Sequence, residues 1–213
     1  MIFSQKSTII GPTGANMIYS FDDLKIKFSN YAKIKDKIKR EVQAGRLIPV
    51  ARGLYETDVE TSGKYLAGLI YGPSYLSFDY ALSVYSLIPE AVYNTYTSAT
   101  FNKNKTKQYQ NHFGTFTYRD IPADVYPLGV LLHEKNGYSY QIASPEKALC
   151  DKLYALPPAK NLTELQALLF NDLRVDEQKF AKLDKASIAE LAPLYHATNL
   201  KLLNKLITKN KYR

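Results

Sequence analysis

Tyr31, Ile34, Ile38 and Val42 fall on one stripe when the chain turns by about 100° per residue. This spacing predicts a helix from about Tyr31 to Ala44, closed by Gly45 at the position where a left-handed residue ends a helix. Lys33, Lys37 and Arg40 lie nearly opposite the stripe, with Asp36 and Gln43 beside them. Lys35 and Lys39 flank it. One face can therefore pack on a small core while the other presents cations. Upstream, Ser20 reads as an N-cap with Asp23 three residues on, which predicts a short helix over 21–28. Ser29 or Asn30 offers the cap of the longer helix.

After Gly45 the period changes. Two short apolar runs, 47–51 and 54–57, flank Arg52-Gly53, the pattern of a tight β-hairpin whose glycine takes a positive φ. Pro49 lacks a ladder donor and suits an edge strand. A capped short helix, a turn, a longer basic helix and a two-stranded ribbon together read as a winged helix-turn-helix, assigned to residues 1–58. The segment before Asn16 contains Gly11-Pro12-Thr13-Gly14, so a first helix there is expected to be short or irregular.

The rest of the chain, 59–213, reads as a mixed α/β unit with a helical C-terminal part. The whole is of the α+β class. Residues 58–63 look like a linker, and 64–71 like a helix stopped by Gly72-Pro73. Short strands are expected at 75–78, 95–100 and 113–119. A hairpin is expected over 128–142 about Asn136-Gly137. A helix is expected at 79–88. Residues 102–107 read as a polar basic loop. Ser144-Pro145-Glu146 opens a helix with a cap, a proline at its first position and an early acid, running to about Leu156. Helices are expected at 163–170, 176–183, 187–196 and 200–209. The last carries a stripe of Leu200, Leu203 and Ile207, with Leu206 beside it.

Charge sharpens this picture. The formal net charge is +8, which favours a polyanionic partner. It is concentrated at the ends: ten basic against five acidic residues in 1–57, and five basic with no acid in 199–213. Residues 58–198 hold thirteen basic and fifteen acidic residues and are nearly neutral. No apolar run approaches the roughly 18–20 residues that span a bilayer, so no membrane partner is expected. The opening Met1-Ile2-Phe3-Ser4-Gln5-Lys6 lacks the order of a secretory signal. Cys150 is the single cysteine, which excludes an intrachain disulfide and suits a reducing cytoplasm.

In a winged helix the second helix enters the major groove and the wing touches the backbone. Asn30, Lys33, Lys37 and Arg40, with Asp36, are the candidates for reaching base edges, since lysine and arginine read guanine and asparagine pairs with adenine. Lys35, Lys39, Arg46 and Arg52 are placed for phosphates. Catalytic, cofactor and metal residues are not assigned. His112, His133 and His196 have no second ligand at metal spacing, and Walker A and G-x-S-x-G motifs are missing. Asp120, Glu146 and Lys147 are the weak candidates for a metal-dependent nuclease.

Three stretches resemble, in order, those of the AbiEi-type antitoxin family of bacterial transcriptional regulators. They are Ala44-Gly45-Arg46-Leu47 with Arg52-Gly53-Leu54-Tyr55; Tyr75-Leu76-Ser77-Phe78-Asp79-Tyr80-Ala81-Leu82 with Leu87-Ile88-Pro89; and the run from Ile142 to Tyr154. The resemblance implies a DNA-binding antitoxin of a type IV toxin–antitoxin system. Such a protein binds inverted repeats in its own promoter, represses its operon and counteracts a nucleotidyltransferase-like toxin. The alternative is a winged-helix regulator without a toxin, responding to a ligand in the C-terminal domain.

Overall fold

The computed structural model describes residues 18–90, 93–135 and 137–209. The expected irregular segment before Asn16, the asparagine of Asn136-Gly137, the side chain of Lys209, and Lys211 and Arg213 lie outside the described residues. The described chain is α+β.

Strand β1 (Ile18–Ser20) leads directly into helix α1 (Phe21–Lys27). The expected cap is present in both directions. The Asp23 amide donates to Ser20 Oγ at 3.1 Å, and the Ser20 amide donates to Asp23 Oδ2 at 2.8 Å. Helix α2 (Ile34–Gln43) follows, then strands β2 (Ile48–Ala51) and β3 (Leu54–Glu56). The hairpin forms as expected, with Gly53 at φ 74° and Pro49 on an edge strand. β1 adds to the free edge of β3, giving the order β1-β3-β2. Leu24, Ile38 and Leu47 are the buried centre of this unit. Each contributes roughly 1.5–3 kcal/mol on burial, so the core is thin.

The expected helix over 64–71 is instead a 3-10 turn (Gly63–Tyr65) and the short α3 (Ala67–Ile70). Strand β4 (Tyr75–Leu76) and α4 (Phe78–Val84) follow. β5 (Thr95–Thr100) pairs in parallel with β7 (Gly114–Asp120). Between them in sequence comes β6 (Lys107–Asn111), which the hydrophobic pattern does not show and which pairs with the outer edge of β7. β8 (Val130–Lys135) and β9 (Tyr138–Ala143) form the expected hairpin. Among the described residues the larger sheet runs β6-β7-β5-β4-β9-β8.

Helix α5 (Pro145–Tyr154) packs on this sheet, with Ser144 accepting from the Lys147 amide as its cap. α6 (Leu162–Ala167), α7 (Glu177–Ala181), α8 (Lys185–Leu191) and α9 (Thr198–Lys209) complete the fold. α8 and α9 cover the far side of α5, so α5 is buried between sheet and helices. The apolar stripe of α9 is buried as expected, with Leu206 included, while Lys201 and Lys205 are exposed.

Residues 58–63, read as a linker, are anchored at both ends, while Val59 and Glu60 between them are exposed. The Glu56 carboxylate is buried and accepts from the Thr57 and Asp58 amides and from Tyr138 Oη at 3.2 Å. The Gly63 amide donates to Tyr96 Oη at 3.1 Å. A Cβ on Gly63 would stand 2.3 Å from the Tyr96 ring, so this approach requires glycine. Asn111 Nδ2 donates to the Val50 carbonyl at 2.7 Å, which ties β2 to β6. Val50 itself belongs to the large core.

Candidate nucleic-acid interface

The geometry of α2 corrects several expectations. The helix begins at Ile34, and its N-cap is Lys33, which makes no side-chain cap bond. Ser29 and Asn30 lie in the turn before it and are not its N-cap. Tyr31 is likewise outside the helix. Its ring meets Phe28 edge-on at 6.0 Å, and Lys37 Nζ sits 4.7 Å above it. With Tyr31 removed from the stripe, the inward face rotates to Ile34, Ile38, Glu41 and Val42.

Glu41 is the unexpected member of that face. It is buried, yet it is an acid, and it is held by two cations. Arg46 Nε donates to Oε2 at 2.6 Å and Nη2 to Oε1 at 3.0 Å. Lys37 Nζ lies 2.6 Å from Oε1. Hydrogen bonds from Arg46 and then Lys37 hold the Glu41 carboxyl down at about 2. The same contacts raise Lys37 and Arg46. Lys37, expected among the outermost residues, is half-buried, its side chain 19% exposed. Arg46, expected on phosphate, is paired with Glu41, while its side chain remains 63% exposed.

The cations of the exposed α2 face are therefore a different set. Lys35, Lys39 and Arg40 are exposed with Asp36 and Gln43, and Lys33 is exposed at the helix start. Lys33, Lys35, Lys39 and Arg40 make no ion pair among the described residues. Arg40 Nε donates to the Asp36 carbonyl at 3.3 Å. Asn30 is exposed in the turn, beside this face in sequence. A shallow groove lined by Phe21, Lys25, Ala32, Lys33, Ile34, Lys35 and Asp36 marks the α1–α2 seam. Arg52 is exposed at the hairpin tip, and that tip is fixed by the Phe21 amide, which donates to the Gly53 carbonyl at 2.7 Å. Lys27, in the last turn of α1, is an exposed cation that the apolar periodicity of α2 does not single out; it donates to Tyr19 Oη at 2.9 Å.

A second polar constellation is buried inside the larger unit. Asp151 on α5 accepts from Ser77 Oγ at 2.6 Å, Tyr75 Oη at 3.0 Å and Tyr195 Oη at 2.6 Å. Lys147 Nζ lies 3.1 Å from Asp151 and donates to Tyr195 Oη at 2.7 Å. Both charged side chains are fully buried. Burial pulls the Lys147 amine down against the opposing charge of Asp151. Burial also raises the thiol of Cys150, which lies in the core. This network joins the second and third of the resembling stretches. The i, i+4 spacing of Lys147 and Asp151 is its one local signal in the sequence.

The nuclease candidates are engaged separately. Asp120 accepts from Thr100 Oγ1 and the Lys103 and Asn104 amides. Glu146 accepts from Ser144 Oγ and the Asp184 amide. Lys147 is enclosed in the network above. No cluster of three or more acidic, histidine or cysteine side chains is arranged for a metal among the described residues. No helix among them is long and apolar enough to cross a membrane. No family model matches the chain, and no curated protein matches it.

Proposed function

We propose that residues 18–57 are a winged helix-turn-helix that binds double-stranded DNA, and that the protein is an autorepressing antitoxin. The observation that carries the DNA reading is the exposed face of α2. It presents Lys35, Lys39 and Arg40, with Lys33 at the helix start, all without an ion pair among the described residues. Charge left unneutralised on one face of a helix is the footprint of a phosphate-lined groove. Arg40 and Lys33 are assigned to base edges, Lys35 and Lys39 to flanking phosphates, and Arg52 at the hairpin tip to backbone. Lys37 and Arg46 are withdrawn from contact and assigned to holding the unit together. The antitoxin part rests on the order of the three resembling stretches; its partner is a nucleotidyltransferase-like toxin.

Two experiments test it. Fluorescence anisotropy with the promoter of the protein's own operon should show weaker binding for Arg40→Ala and for Arg52→Ala. Unchanged binding by both would overturn the placement. Co-expression with the neighbouring gene should rescue growth from that gene's toxicity, and failure to rescue would remove the antitoxin reading while leaving DNA binding intact.

A further inference from the structure

A cleft of about 330 Å³ opens between one half of the larger sheet and the ends of α4 and α5. The parallel register sets Thr97 beside Thr117, and β6 sets Gln108 opposite Thr117. Arg119, two residues further along β7, lies on the same face of the sheet. Lys152 and Asp79 form the opposite wall, with Leu156 among its apolar atoms. The volume is at the lower end of the roughly 300–1,000 Å³ typical of small-molecule sites.

The wall is locked from behind. Thr97 Oγ1 donates to the Ser77 carbonyl at 2.6 Å and accepts from the Tyr80 amide at 3.0 Å. Ser77 Oγ is held in turn by Asp151. Between Ser77 and Asp79, Phe78 sits at φ 53°, a left-handed conformation that a bulky side chain rarely adopts. Such backbone persists only where its surroundings impose it, and it gathers at ligand sites. Lys152 Nζ contacts both Asp79 oxygens, at 2.6 and 2.8 Å, so that amine is neutralised. Arg119 is exposed and makes no ion pair among the described residues, so it sets the net charge of the cleft.

We propose that this cleft binds a small organic anion, a phosphate monoester or a carboxylate with a compact apolar body. The Arg119 guanidinium offers two parallel donors to the oxyanion, which is the geometry both groups take. Thr117 and Gln108 add donors, and Leu156 meets the apolar body. None of these residues lies in 18–57, so the proposal stands apart from the DNA reading.

Calorimetric titration of the full chain tests it with adenosine monophosphate against adenosine, and benzoate against benzyl alcohol. At least one anion should bind saturably at millimolar concentration while its neutral counterpart does not; which pair responds separates phosphate from carboxylate. Arg119→Ala and Arg119→Gln should each weaken that binding about tenfold or more. Because Arg119 is exposed and outside the buried network, both variants should melt with the native chain. Binding by neither anion, equal binding of the neutral compounds, or undiminished binding by both Arg119 variants would overturn the proposal.

Discussion

Arg46 grips Glu41 with two hydrogen bonds, Nε to Oε2 at 2.6 Å and Nη2 to Oε1 at 3.0 Å. That contact reaches from two residues beyond the Ala44 cap back to the buried face of α2. It gives Arg46 a part in holding the end of α2, at a position at the foot of the hairpin that also suits a phosphate contact. Arg46→Ala should lower the unfolding midpoint only slightly, since the arginine side is exposed and screened. Chemical denaturation followed by circular dichroism checks this. A native-like midpoint for Arg46→Ala would show that the pair contributes nothing.

The same acid predicts a pH dependence. The Glu41 carboxyl is held at about 2 in the folded protein against an ordinary value of 4.5. A depressed carboxylate favours the folded state above its unfolded pKa and loses that contribution as pH falls through the folded one. The stabilisation from Glu41 should therefore be complete above about pH 4.5 and decline toward pH 2. Glu41→Gln should flatten the stability profile in that window when both proteins are melted across it. Parallel profiles would contradict the assignment.

Asp151→Ala should cost about 3–5 kcal/mol, because it strands a buried lysine and leaves Ser77 and Tyr75 hydroxyls unpaired. The double variant Lys147→Met with Asp151→Leu should recover much of that loss. Thermal unfolding of the three proteins decides the matter. A double variant no more stable than Asp151→Ala would mean that the pair does more than fill space.

Gly63→Ala should destabilise by about 1–3 kcal/mol, the range for overpacking, because the added carbon would overlap the Tyr96 ring. If Tyr96 swings away freely, the variant will melt with the native chain and the close approach is not required.

Local rules in the sequence account for what is local in the structure. The Ser20–Asp23 box, the Gly45 and Gly53 turns, the Ser144-Pro145 helix start and the α9 stripe each arise from neighbours within a few residues. β6 escaped because Lys107, Gln108, Gln110 and Asn111 leave only Tyr109 apolar, and its register is supplied by β7. The inward place of Glu41 escaped for another reason, although Ile34, Ile38 and Val42 face the core as expected. Hydrophobic periodicity treats every charge as outward, whereas Glu41 turns inward once Lys37 and Arg46 reach it. The buried network joins residues more than forty positions apart, and nothing in the local pattern connects Ser77 or Tyr195 with Asp151.

The central claim is that the cations on the exposed face of α2 contact DNA while Arg46 does not. The most direct measurement is the salt dependence of promoter binding for the native chain, a Lys39→Ala/Arg40→Ala variant and Arg46→Ala. Each lost phosphate contact should reduce the slope of log affinity against log salt by about 0.9. The α2 double variant should bind more weakly with a shallower slope, and Arg46→Ala, assayed where it is folded, should keep the native slope. A native slope for the α2 variant, or a reduced one for Arg46→Ala, would contradict the account.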